Sequence, residues 1–176
     1  MVKFLFGFVF FGCTILTNFN TISAQISLGA TLGVFNQGQS YNGQRYSNNL
    51  MGISFAGKYG LKENKMRVGL NVGYFFDSDN GEIQFTQPIT GLFEYDFTTN
   101  KLSPYAGIDV GIYRAGYKYN GYSQSSSDFG LAPVVGVNYG ISDKVDLNAN
   151  LKYTYILTES ESTTGFNFNI GAVIMF

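Results

Sequence analysis

Residues 165–176 read GFNFNIGAVIMF. Phe166, Phe168, Ile170, Ala172, Ile174 and Phe176 alternate there with Asn167, Asn169, Gly171, Val173 and Met175. A period of two is that of a β-strand whose two faces meet different surroundings. The apolar face runs on to Phe176 with no polar residue to return it to water. The expectation is a strand with one side against lipid.

Upstream the same alternation recurs seven times, over 26–35, 50–61, 66–76, 82–97, 103–114, 129–141 and 145–157. Ile26, Leu28, Ala30, Leu32 and Val34 share one face of the first stretch, and Met66, Val68, Leu70, Val72, Tyr74 and Phe76 one face of the third. The opposite faces read as small or polar: Ser27, Gly29, Thr31 and Gly33 in the first, Asp146, Asn148, Asn150 and Lys152 in the seventh. Tilted strands need roughly 9–11 residues to cross a bilayer, a length these stretches meet. An unpaired sheet edge has no partner in lipid, so eight such strands must close on themselves. The predicted fold is all-β, an eight-stranded antiparallel up-and-down transmembrane barrel.

A soluble lipocalin-like barrel would carry the same pattern turned inside out. The Gly-rich face with whole Asp, Arg and Lys side chains is poor lining for an apolar ligand cavity. Tyr59, Tyr74, Phe76, Tyr95, Phe97, Tyr139, Tyr155 and Phe166 stud the apolar face near strand ends, as aromatic girdles do. Composition agrees: 17% aromatic and only 13% charged residues suit a bilayer better than a water-exposed surface.

Connections after the second, fourth and sixth stretches are short: KENK, TTNKL and SDK. Two of the others are long and polar, NQGQSYNGQRYSNN (36–49) and AGYKYNGYSQSSSD (115–128), and read as loops. Pro88 and Pro133 fall inside proposed strands and are expected to mark bulges.

The first 24 residues read as a cleaved secretory signal. Lys3 precedes an apolar run from Phe4 to Leu16, and NFNTISA leads to Ala24, leaving residues 25–176 as the barrel domain. Cys13, the only cysteine, would leave with it; FFGC also loosely matches a lipoprotein signal acylated at Cys13.

LSPYAGIDVGIY (102–113), APVVGVNYGISDKVDLNANLKYTY (132–155) and the closing strand resemble the small outer-membrane β-barrel family of Gram-negative bacteria, OmpA- and OmpX-like, and in particular the Bacteroidota porin-family type. The resemblance covers all of residues 25–176 and implies location in the outer membrane. It implies that the outer-membrane assembly machinery reads Phe168, Ile170, Ala172, Ile174 and Phe176. No cell-wall-binding domain follows the barrel, so no such tether is expected.

Eight strands leave an interior that side chains can fill. Alternation points Lys58, Arg67, Glu94, Asp96, Asp109, Asp146 and Lys152 inward, where nearly balanced charges should pair with one another and with Asn71, Asn138, Asn148 and Asn150. The alternative is a narrow, porin-like conduit for small solutes. The chain has no His, which removes Ser–His nucleophile activation, so the protein is read as non-enzymatic. DSDNGE (77–82) lacks the spacing of a calcium loop and reads as solvated. Neither cofactor nor metal is expected, and with a net charge of −1, neither is nucleic acid. Tyr41, Tyr46, Tyr117, Tyr119 and Tyr122 lie among Gly, Ser, Asn and Gln, the residues adaptable binding loops use, or extend the aromatic girdle. The expected function is envelope structure or surface interaction by a monomer whose partners are outer-membrane lipid and an extracellular ligand.

Overall fold

A computed structural model describes residues 25–41, 44–61, 65–79, 81–158 and 163–176. The proposed signal and Cys13 lie outside them. Eight strands follow in order: β1 (Ile26–Tyr41), β2 (Gln44–Leu61), β3 (Met66–Asp79), β4 (Glu82–Asp96), β5 (Leu102–Tyr119), β6 (Tyr122–Ser142), β7 (Val145–Leu157) and β8 (Thr163–Met175). Each pairs antiparallel with the next and β8 closes on β1, so the barrel has no edge. At the seam the Phe176 N–H donates to the Ile26 carbonyl at 2.9 Å.

The register fixes the barrel's shape. Pairing partners run from Leu28 through Gly57, Leu70, Gly91, Val110, Leu131, Tyr155 and Thr164 to Gly38, ten residues further along β1. With eight strands, that stagger tilts each strand by about 40° and sets a backbone radius of about 8 Å. A tilted strand then needs about 10 residues to cross the apolar band.

The outward face is the apolar one. Leu32, Leu70 and Met51 are 65–67% exposed, while inward Ser54, Asn71, Asp109 and Asn169 are at most 5% exposed. This polarity rules out the soluble lipocalin-like alternative, whose apolar side would be inside. Outward aromatic rings gather at two levels: Tyr95 with Phe97 at one end, Tyr153 with Phe166 and Tyr74 with Phe76 and Phe85 towards the other.

The stretches expected to be loops are largely strand. Residues 36–41 pair with 44–49, and 115–119 with 122–126, so both connections are extended hairpins. Asn120 and Gly121 adopt positive φ, 46° and 83°, the two-residue turn whose twist matches a hairpin. The asymmetry between the barrel's ends is therefore one of strand length. Two tall hairpins, β1–β2 and β5–β6, alternate with the shorter β3–β4 and β7–β8. The outer faces record where the tall pairs leave the bilayer: Val34 gives way to Asn36, which donates to Asn49 at 2.8 Å, and Ile112 to Arg114, which donates to Ser125 at 3.2 Å. DSDNGE is also mostly ladder, with Asp79 opposite Glu82.

Neither proline makes a bulge. Pairing lapses beside Pro88 in β3–β4 and beside Pro133 in β6–β7, but the register is the same on both sides. Each lacks one N–H towards one neighbour while staying in register with the other, opposite Tyr113 and Ile108 respectively. The register shift lies instead between Gly140 and Ser142, at the low end.

Candidate functional site: the filled lumen and the tall end

In the low half of the lumen, charges from three strands meet. Lys58 of β2 donates to both oxygens of Glu94 of β4, at 2.7 and 2.8 Å. Arg67 of β3 reaches Glu94 at 3.4 Å and Asp96 at 2.6 Å. Across the barrel Lys152 of β7 holds Asp109 of β5 at 2.7 Å. Six of the seven charges expected inside are thus paired and at least largely buried, as charges removed from water must be. Asp146 differs: it stands half-buried at the low mouth and makes no ion pair among the described residues.

An asparagine relay ties the seam to this cluster. Asn169 donates to Asn150 at 2.9 Å, Asn150 to Asn148 at 2.8 Å, and Asn148 to the Tyr105 hydroxyl at 3.0 Å, with the Asn138 amide 2.8 Å from Asn148. Two cations stand over the Tyr105 ring, Lys58 Nζ 5.6 Å and Arg67 Cζ 5.5 Å from its centroid. Asn71 sits apart, 3.5 Å from Thr90.

The inward face is not polar throughout. Towards the tall end Phe35, Leu50 and Phe75 form a closed apolar cluster, the two rings edge-to-face at 6.1 Å. Tyr113 and Ile156 are also buried inside. The inward aromatics sit against glycines of neighbouring strands: a Cβ on Gly52 would lie 2.8 Å from Phe75, and one on Gly136 2.5 Å from Tyr105. Glycine on the inner face thus makes room for rings in a narrow barrel. Sequence alternation passed over Phe35, Leu50 and Phe75 and gave Tyr105 no role; their inward parity was the available signal.

Among the described residues, cavities lie along the axis at three levels. A mouth of about 530 Å³ opens at the tall end, lined by Gln37, Asn48, Gln84, Thr86, Tyr117 and Gln124 among others. One of about 330 Å³ opens at the low end beside Arg67, Asp96, Lys101 and Asp146. Between them, next to Lys58 and Glu94, is a void of about 30 Å³, room for a single water.

Tyr117, Tyr119 and Tyr122 project from the tall β5–β6 hairpin and are 43%, 48% and 80% exposed. They continue the inward-facing alternation of Tyr105, Asp109 and Tyr113 on β5 and of Gly130 and Ala132 on β6, and so do not extend the lipid-side girdle. The Tyr117 hydroxyl bonds to Gln124 at 3.0 Å. Tyr41 and Tyr46 occupy the β1–β2 hairpin, paired with Gln44 and Gln39; their side chains lie outside the described residues. Phe168, Ile170, Ala172, Ile174 and Phe176 form one exposed outward stripe along β8 and beyond it.

A closed antiparallel sheet with lipid-compatible residues outside and paired charges inside is a transmembrane β-barrel. The chain belongs to the outer membrane protein beta-barrel domain family, whose sequence model matches residues 6–176, and it is an outer-membrane protein. Its fold is similar to that of Neisserial surface protein A (NspA), at 20% identity and a TM-score of 0.68 over 87% of this chain and 97% of that one. It is also similar to a major outer membrane protein from Thermus thermophilus, at 15% identity and a TM-score of 0.63 over 88% and 100%. The third is Ail, the attachment invasion locus protein of Yersinia pestis, in complex with the heparin analogue sucrose octasulfate, at 18% identity and a TM-score of 0.57 over 87% and 97%. No curated protein matches the chain in sequence.

Proposed function

We propose that this barrel acts at the cell surface through its tall hairpins and conducts nothing through its lumen. The observation carrying the reading is the contrast between a lumen occupied by ion pairs and an apolar cluster and a mouth that stays open between the hairpins. Outer-membrane barrels keep short turns on the periplasmic side and long connections outside, which puts the tall end in the medium. Ail, of the same fold, is named the attachment invasion locus protein and is seen in complex with a heparin analogue. On this reading the protein is a non-enzymatic monomer. Residues 1–24 are its signal, cleaved near Ala24, and the Phe168–Phe176 stripe is its assembly address. Mass spectrometry of the protein extracted from membranes reads that terminus directly; an acylated Cys13 would replace this account.

The test of the surface role is a shortened hairpin. Replacing residues 116–125 by Asn-Gly joins the register partners Ala115 and Ser126 and leaves the membrane-spanning ladder intact. Cells carrying the shortened barrel are expected to lose adherence to coated surfaces while the protein keeps its heat-modifiable gel mobility. Unchanged adherence, together with restored detergent resistance in a strain lacking the protein, would replace the surface role with a purely structural one.

A further inference from the structure

We infer that the tall-end mouth is a binding site for a neutral oligosaccharide, a reading that deepens the surface role proposed above and rests on it. The cavity of about 530 Å³ falls within the range of small-molecule sites, roughly 300–1,000 Å³, and is roomy enough for a di- or trisaccharide. Its described lining mixes apolar surface from Leu50 and Phe85 with the carboxamides and hydroxyls of Gln37, Asn48, Gln84, Thr86 and Gln124 and the half-exposed Tyr117 ring. A carboxamide offers an acceptor at one end and two donors at the other, which matches adjacent sugar hydroxyls that each donate and accept. A tyrosine ring supplies a flat apolar face with a polar tip, suited to the C–H face of a pyranose.

The amides are held in place before any ligand arrives. Thr86 donates to Gln37 at 2.7 Å, Asn48 to Gln84, Gln84 to Glu82 at 3.2 Å, and Tyr117 to Gln124 at 3.0 Å. Each partnership engages one part of a side chain and leaves hydrogen-bonding capacity over, so the site is preorganised rather than saturated. Leu50 lines the cavity and is itself clustered with the buried Phe35–Phe75 pair.

Charge decides between neutral and sulfated sugars. Glu82 is the one charged residue among the described lining, and it repels sulfate, phosphate and carboxylate. Arg114 and Lys118 belong to the same hairpin but sit at the alternate positions of β5, on its outer face, where Lys118 covers Phe85 at 5.7 Å. Among the described residues, these two cations of the hairpin therefore face away from the mouth.

The test uses residues 25–176 refolded in detergent and applied to a printed array of neutral hexose and N-acetylhexosamine oligosaccharides, heparin fragments and unstructured peptides. At least one neutral glycan is expected to bind ten-fold or more above the heparin fragments. That signal should fall at least ten-fold in Gln84→Ala and in Tyr117→Ala, both of which should keep heat-modifiable mobility. Preference for heparin fragments or peptides, no neutral binding above the hairpin-shortened variant, or binding indifferent to both substitutions in folded protein would each overturn the inference. Hairpin-dependent adherence without neutral-glycan binding would sink the saccharide site alone; hairpin-independent adherence would sink the surface role itself.

Discussion

The two halves of the lumen are filled by different means. Below, Lys58, Glu94, Arg67 and Asp96 occupy space because each needs another's charge. Above, Phe35, Leu50 and Phe75 occupy it by shape, with glycines of adjacent strands cut back to admit the rings. The difference is one of tolerance. A shape-filled region loses stability in proportion to the volume removed, whereas a pair-filled region fails when one partner is taken and the other is left behind. It recovers when both go.

Glu94→Ala is expected to have the largest effect. It leaves Lys58 buried without its carboxylate, at a cost of about 3–5 kcal/mol, read as a lowered urea midpoint of the folded band on unboiled gels. Phe75→Ala should cost about 3 kcal/mol, as removing a buried ring from a packed cluster does. The double change Lys58→Met with Glu94→Leu should fall within about 1–2 kcal/mol of the parent, because an apolar pair of similar volume needs no partner charge. If the double variant is as damaged as Glu94→Ala, the halves do not differ in kind. In planar bilayers the parent and Phe75→Ala should both stay closed, since the ion-pair region remains; sustained current from Phe75→Ala would make the apolar cluster the sole barrier. Tyr117→Ala should change stability by no more than about 0.5 kcal/mol, as exposed positions generally do.

How much of this was legible in the chain depended on where lipid is. Between residues 26 and 34, or 166 and 176, one face must be apolar, and alternation gives strand, face and closure together. Past Asn36 and Arg114 both faces meet water, the period-two signal vanishes, and a paired ladder of Ser, Gly, Asn and Tyr looks like loop. Backbone hydrogen bonds hold those extensions, and backbone bonds leave no mark on composition. The inward aromatics were masked by their neighbours: Phe35 follows outward Val34 and Phe75 precedes outward Phe76, so each reads as part of one apolar run. Tyr105 was legible as an inward residue, but the cations around it come from β2 and β3, and strand adjacency alone does not show which groups a narrow cylinder brings together. The prolines give no sequence sign of their accommodation, because a missing N–H is tolerated by losing one pair without a change of register.

The Asn120–Gly121 tip has a practical use. It joins Tyr119 and Tyr122, which face each other across the last rung of the ladder, and it stands beyond the level where the outer faces turn polar. A foreign peptide spliced between those two residues would be carried clear of the bilayer on a stiff ribbon, with every rung below it unchanged. The molecule is in effect a ready-made display stalk, and its cargo can be exchanged without redesigning the part that spans the membrane.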